Sequence, residues 1–166
     1  MFLIPVVLLI IAIVIFKKII KNIAYKTLYT TLIDIANEVN IKQVKSKAFD
    51  YEVKYNNKIY LVKMIYHPAC YEINVNSKDY WQVNKGAVSS RKSGEKMEKV
   101  YDLINFDAQK NGYPKDTIKL YVIYPLSTTL MKVLNECEYE FITPKTDIYG
   151  CKMTNFNSLK ENFDKF

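Results

Sequence analysis

The sequence has few of the residues from which most catalytic and metal sites are built. Its 166 residues include one histidine, three cysteines and four glycines. Cys70, Cys137 and Cys151 show no C-x-x-C spacing, which predicts reduced thiols in place of a disulfide framework. His67 and Cys70 offer two potential ligands where a structural zinc site takes four. A Ser-His-Asp triad would depend on His67 alone, so the sequence predicts neither a resident metal nor a hydrolase triad.

Glycine and arginine are equally scarce. Gly86 and Gly94 flank a serine- and lysine-containing stretch that lacks the order of a phosphate-binding loop, and no G-x-G-x-x-G occurs. Nucleotide hydrolysis therefore has no support. Arg91 is the single arginine among 24 basic residues. The abundance of lysine indicates an AT-rich bacterial coding bias, which raises the chance frequency of every lysine-containing motif.

Acidic residues are absent from the whole N-terminal part of the chain, before Asp34. Residues 2–16 carry no charge, and Lys17 ends the run. Ile19, Ile20 and Ile23 continue the apolar pattern while the nearby lysines can extend to the lipid surface, so the run predicts a short transmembrane helix. A basic start and a small-residue cleavage site are missing, which predicts an uncleaved anchor in the cell membrane. A helix lying in the membrane interface is the alternative.

Four lysines follow this run at short intervals: Lys17, Lys18, Lys21 and Lys26. The positive-inside rule places a single-pass anchor of this kind with its C-terminal domain in the cytoplasm. These lysines also predict binding to an anionic membrane surface. They account for more than half of the net charge of +7, so the charge argues little for nucleic acid as a partner. The expected partners are the membrane and an unidentified protein.

The pattern after the anchor predicts one α/β (α+β) domain. We divide the chain into a transmembrane anchor with its basic juxtamembrane segment (1–24), a cytoplasmic domain (25–150) and a C-terminal tail (151–166). Apolar residues at three- and four-residue steps predict helices, and apolar residues at alternate positions predict strands. In order, these are a helix over 25–39, strands over 49–55, 58–66 and 71–75 that form a meander, a helix over 92–110, a strand over 118–124, a helix over 126–135 and a strand over 139–143. This order predicts a three-layer domain around one mixed sheet.

The first predicted hairpin carries an acidic residue at a characteristic place. Phe49-Asp50-Tyr51-Glu52-Val53-Lys54-Tyr55 precedes Asn56-Asn57 and the strand Lys58 to Ile65, and Ser77-Lys78-Asp79-Tyr80-Trp81 follows. With the element order of residues 25–125, this stretch resembles the restriction-endonuclease-like fold and, more narrowly, the nuclease-related NERD domain. The resemblance implies an Asp on the first strand and a Glu-x-Lys on the second, which together hold a divalent metal for phosphodiester hydrolysis.

Carried over residue by residue, only Asp50 matches this pattern. A two-residue Asn56-Asn57 turn places Asp50 opposite Lys63. Lys63 then occupies the position of the family's Glu, and Ile65 that of its Lys. An ammonium group beside the metal position and an apolar side chain in place of the lysine cannot support the chemistry. The resemblance therefore implies a catalytically degenerate domain with a binding or scaffolding role and a cross-strand Asp50–Lys63 ion pair, and no enzymatic activity.

Two alternatives stay open on the sequence alone. Glu52-Val53-Lys54 is itself a Glu-x-Lys, and with Asp50 and Glu72 it would form the Mg²⁺ site of an active nuclease. One such match is uninformative in a lysine-rich chain, and alternating polar residues on a strand usually form its solvated face. The second alternative is an unrelated membrane-anchored adaptor. A nucleic-acid groove would need the lysines around 42–47 and 85–99 on one surface.

Overall fold

One long helix, α1 (Leu3–Ala36), begins the described part of the chain. The structure, a computed structural model, describes residues 3–44, 46–67, 70–85, 95–99, 103–125, 129–135 and 138–166. The apolar run and the amphipathic stretch predicted from the sequence are continuous in α1. The helix ends where Asn37 adopts a left-handed φ of 64°, a conformation that Asn tolerates at a helix C-terminus.

Within the described residues, ten strands follow in two five-stranded sheets. They are β1 (Ile41–Gln43), β2 (Tyr51–Tyr55), β3 (Lys58–Tyr66), β4 (Cys70–Val75), β5 (Tyr80–Lys85), β6 (Glu95–Lys99), β7 (Ile118–Tyr124), β8 (Thr129–Val133), β9 (Tyr139–Phe141) and β10 (Lys152–Asn155). Sheet I has the order β1-β2-β3-β7-β10, and sheet II has the order β6-β5-β4-β8-β9. A helical turn, α2 (Leu159–Asn162), lies near the C-terminus.

The β2–β3 hairpin confirms the predicted turn and register. Asn56 and Asn57 have φ values of 47° and 60°, as a two-residue type I′ turn requires. Tyr55 therefore pairs with Lys58, and Tyr51 pairs with Val62. The strand predicted over 118–124 is β7, which pairs in parallel with β3 in the centre of sheet I.

The two sheets and the helix form three layers. One face of sheet I packs against α1, where Ala24, Leu28 and Leu32 are fully buried. The other face packs against sheet II, and the Trp81 ring meets that of Tyr121 edge-on at 5.0 Å between centroids. Each strand of sheet I therefore presents alternate residues to the helix and to sheet II.

Two predicted helices are wrong. Within the predicted helix 92–110 the structure has strand β6, which pairs antiparallel with β5, and a short 3₁₀ turn at Gln109–Asn111; residues 92–94 and 100–102 lie outside the described residues. Within 126–135 the structure has strand β8, in which Leu130 is buried and Met131 is partly exposed. Apolar spacing over such short stretches fits either structure, and pairing with a neighbouring strand decides between them.

The predicted meander in one mixed sheet is also wrong. β3 pairs with β2 and β7, whereas β4 pairs with β5 and β8 in sheet II. The chain thus changes sheets between Tyr66 and Cys70. Local patterning does not reveal this change, because a strand buried on one face has the same alternation in either sheet.

The transmembrane helix of the predicted fold is a further correction. Within the described residues, no helix combines the length and the apolar character that crossing a membrane requires. The apolar part of α1 ends at Phe16, and Lys17, Lys18 and Lys21 follow it. Beyond these lysines, Ala24 is already buried against sheet I, so the rest of the helix belongs to the domain.

Candidate functional site

Asp50 lies directly before β2, at the position that the hairpin register assigns to it. Its backbone N–H donates to the Val62 carbonyl at 2.8 Å, and its carbonyl accepts the Val44 N–H at 2.9 Å. These bonds extend the pairing of β1, β2 and β3 by one residue beyond the regular strands. Backbone hydrogen bonds on both sides therefore fix the position of Asp50 in the sheet.

The predicted ion pair between Asp50 and Lys63 is present. Lys63 Nζ lies 3.2 Å from Asp50 Oδ1, and the side chains of Lys63 and Asp50 are only 12% and 15% exposed. Lys63 Nζ also donates to the Lys47 carbonyl at 3.0 Å. Asp50 Oδ2 accepts the Met64 backbone N–H at 2.8 Å. Both carboxylate oxygens thus have a donor within the protein.

This arrangement does not fit a divalent cation. A magnesium ion binds through carboxylate and water oxygens, and here the Asp50 carboxylate is neutralised by an ammonium group in direct contact. Among the described residues, no group of three His, Cys, Asp or Glu side chains is placed to hold a metal. Ile65 is 1% exposed and belongs to the core between the sheets.

The alternative nuclease residues are not brought together. Glu52 lies on the same face of sheet I as Asp50 and accepts a hydrogen bond from the Tyr113 hydroxyl at 3.0 Å. Burial, followed by this bond to Glu52, raises the pKa of Tyr113. Lys54 is exposed near the hairpin turn. Glu72 lies on β4, beside the inward-facing Ile73, so it occupies the face of sheet II that points away from sheet I.

Tyr51 connects this hairpin to α1. Its hydroxyl donates to the Tyr25 carbonyl at 3.0 Å, and its ring stacks on Tyr29 at 5.9 Å between centroids. Burial, with a smaller contribution from the Asp50 carboxylate, raises the pKa of Tyr51 to about 12. The tyrosine therefore stays protonated over the physiological pH range and remains a hydrogen-bond donor to the helix.

The second notable surface is the part of α1 that projects beyond the sheets. We call residues 5–16 the apolar segment. Its large side chains are exposed on every side of the helix, from 45% at Ile13 to 63% at Phe16. Soluble surfaces seldom keep so much contiguous apolar area in water. The basic residues predicted to bind a membrane surface follow the apolar segment and are all exposed: Lys17, Lys18, Lys21 and Lys26.

Sequence reasoning missed Tyr66, which lies at the end of β3 and faces the base of the apolar segment. Its ring stacks on Tyr124 at 6.2 Å between centroids. The alternation along β3 indicates a strand residue, but no local pattern indicates that the strand ends beside the lysines of α1. Of the other basic residues considered, Lys45, Arg91 and Lys92 lie outside the described residues.

No protein-family model, curated protein sequence or solved structure matches this chain.

Proposed function

We propose that this chain is a membrane-associated binding or scaffolding protein, held at the lipid surface by its apolar segment. The supporting observation is that residues 5–16 are apolar and exposed around the whole helix, and that lysines follow them directly. The apolar segment is about 18 Å long as a helix, which limits how far it can reach into the hydrocarbon. Transfer of each exposed aliphatic side chain from water to lipid contributes on the order of 1 kcal/mol.

The lysines support one orientation of this protein. Lys17, Lys18 and Lys21 lie between the apolar segment and Ala24, the first fully buried residue of α1, and Lys26 follows Ala24. Lysines in this position meet the headgroups when the apolar segment is in lipid, and the cytoplasmic leaflet carries the anionic lipids that attract them. We therefore propose that the α+β domain lies on the cytoplasmic face of the cell membrane.

A binding role fits the Asp50 region better than hydrolysis does. Lys63 neutralises the Asp50 carboxylate at 3.2 Å, and Glu72 faces away on sheet II. The restriction-endonuclease-like ancestry remains an interpretation from the Asp50 hairpin. On that interpretation, Lys63 and Ile65 mark a lost metal site, and the domain retains a scaffolding function with an unidentified protein partner.

Vesicle flotation tests the membrane assignment. The full chain is expected to float with phosphatidylcholine vesicles, and Leu9→Ser/Ile13→Ser/Phe16→Ser is expected to weaken binding at least about tenfold, because three large apolar contacts are lost. The matched control is Val39→Ser/Leu134→Ser/Phe141→Ser, which changes exposed apolar side chains elsewhere and should bind as the wild type does. A wild-type chain that does not float, or equal losses in the two variants, would contradict the proposal.

Incubation with plasmid DNA or with RNA tests the absence of nuclease activity. With Mg²⁺ or Mn²⁺ we expect the nucleic acid to stay intact, because the Lys63 ammonium takes the place of a metal ligand beside Asp50. Gel electrophoresis of the substrate is the measurement. Metal-dependent cleavage that disappears in Asp50→Ala would overturn the scaffolding role and establish an enzyme.

A further inference from the structure

A groove lies where α1 leaves the domain. It has a volume of 770 Å³ and runs between one face of the helix and Tyr66 at the end of β3. Its apolar wall includes Ile13, Phe16 and Ile20, and its charged side chains are Lys17 and Lys21. The same face of the helix continues as Ala24 and Leu28, which are buried against sheet I. The groove is thus the open continuation of a packed interface.

The charges at the groove are of one sign. Lys17 and Lys21 are four residues apart on one helix face, so their ammonium groups can approach the same anion. Lys21 Nζ lies 5.9 Å from the centre of the Tyr25 ring, which is about one helical turn closer to the domain. No acidic residue precedes Asp34 in the chain. Lys18 is exposed in the same region and does not line the groove.

We propose that this groove binds one anionic phospholipid. An acyl chain lies along Ile13 and Phe16, and the phosphate lies between the ammonium groups of Lys17 and Lys21, beside Ile20 and Tyr66. Ile13 and Phe16 lie toward the apolar segment, whereas Lys17 and Lys21 lie closer to the domain, and this order matches the polarity of a phospholipid in a membrane. The stacked Tyr66 and Tyr124 rings at this level resemble the aromatic residues that lie among headgroups.

This inference rests on the proposed membrane association and adds a specific lipid site to it. A diffuse attraction between lysines and an anionic surface depends on the distance of each lysine from the membrane and not on the face of the helix that it occupies. A built site distinguishes the pair that lines the groove from the pair that does not. Lys17 and Lys21 form the first pair, and Lys18 and Lys26 form the second.

The experiment compares two variants of the full chain that lose the same charge. Lys17→Gln/Lys21→Gln removes the groove pair, and the control, Lys18→Gln/Lys26→Gln, removes the same charge outside the groove. Because Lys26 lies farther from the apolar segment than Lys21, the single variants Lys17→Gln and Lys18→Gln are compared as well, since these neighbours lie at one depth on different faces of α1. All four lysines are exposed, so neither variant disturbs the core; circular dichroism checks this. Binding is measured by flotation with vesicles of phosphatidylcholine alone and of phosphatidylcholine mixed with phosphatidylglycerol.

We expect the wild type to bind the mixed vesicles about thirtyfold more strongly than the neutral ones, from two lysines at the surface. The groove variant should lose this preference, and the control variant should retain most of it. Equal losses in both variants overturn the lipid site while leaving the membrane association intact, because binding to neutral vesicles persists. Absence of binding to either vesicle by the wild type overturns both.

Discussion

Breaking the Asp50–Lys63 pair from either side is expected to destabilise the domain by about 2–4 kcal/mol. The Asp50 and Lys63 side chains are only 15% and 12% exposed. Lys63→Gln leaves the Asp50 carboxylate without its cation, and Asp50→Asn leaves the Lys63 ammonium without its carboxylate, bonded to the Lys47 carbonyl. The double variant should lose no more than either single variant, because neither unpaired charge remains. Urea denaturation of the four proteins gives the free energies of unfolding and hence the coupling energy.

A second ion pair in the chain provides the control. Lys110 and Asp107 lie 3.4 Å apart, but their side chains are 84% and 47% exposed. Water screens such a pair, so the cycle of Asp107→Asn and Lys110→Gln should give a coupling far smaller than that of the Asp50–Lys63 pair. If the Asp50–Lys63 coupling is as small as this, burial does not strengthen the pair and the argument from its geometry is wrong.

The Asp50 hairpin was predictable because every determinant is local. The Asn56-Asn57 turn fixes the loop length, and a two-residue loop fixes which residues face each other. Alternating apolar residues then determine which face is buried. Asp50 and Lys63 follow by counting from the turn, and their contact required no knowledge of the rest of the fold.

The second sheet was not predictable in the same way. β3 pairs with β7 across more than fifty residues of chain, and β4 pairs with β8 in the other sheet. These pairings depend on which surfaces remain uncovered after the hairpin and α1 have packed. Stretches such as Thr129–Val133 carry too few residues to show a clear period, so tertiary contacts decide their structure.

The membrane span was predicted from the apolar residues of the sequence and was corrected by the structure. The prediction extended the apolar run through Ile19, Ile20 and Ile23 and treated the lysines between them as flexible. In the structure Ala24 is fully buried and Ile20 is partly buried. The sequence shows that this part of the helix is apolar, but only the position of sheet I shows that protein covers the face with Ile20 and Ala24, while Ile19 and Ile23 stay exposed.

The C-terminal residues are expected to matter as much as the ion pair. Phe163 is 1% exposed, and its ring lies 4.6 Å from that of Tyr60 and 5.5 Å from that of Tyr55 between centroids. Phe163→Ala should destabilise the domain by about 3–5 kcal/mol, since it removes a large buried side chain and leaves a cavity. Denaturant unfolding of the variant measures the loss.

Phe141→Ala is the matched control, because this phenylalanine on β9 is 72% exposed and its removal should change stability by no more than about 0.5 kcal/mol.

The contrast tests what holds the C-terminal segment in place. α2 has only four residues, too few to be stable as an isolated helix, so packing must hold it. Phe163 supplies that packing on sheet I beside α1, and the Lys160–Asp34 ion pair at 2.6 Å is too exposed to replace it. Similar small losses for both variants would mean that the segment is not part of the core.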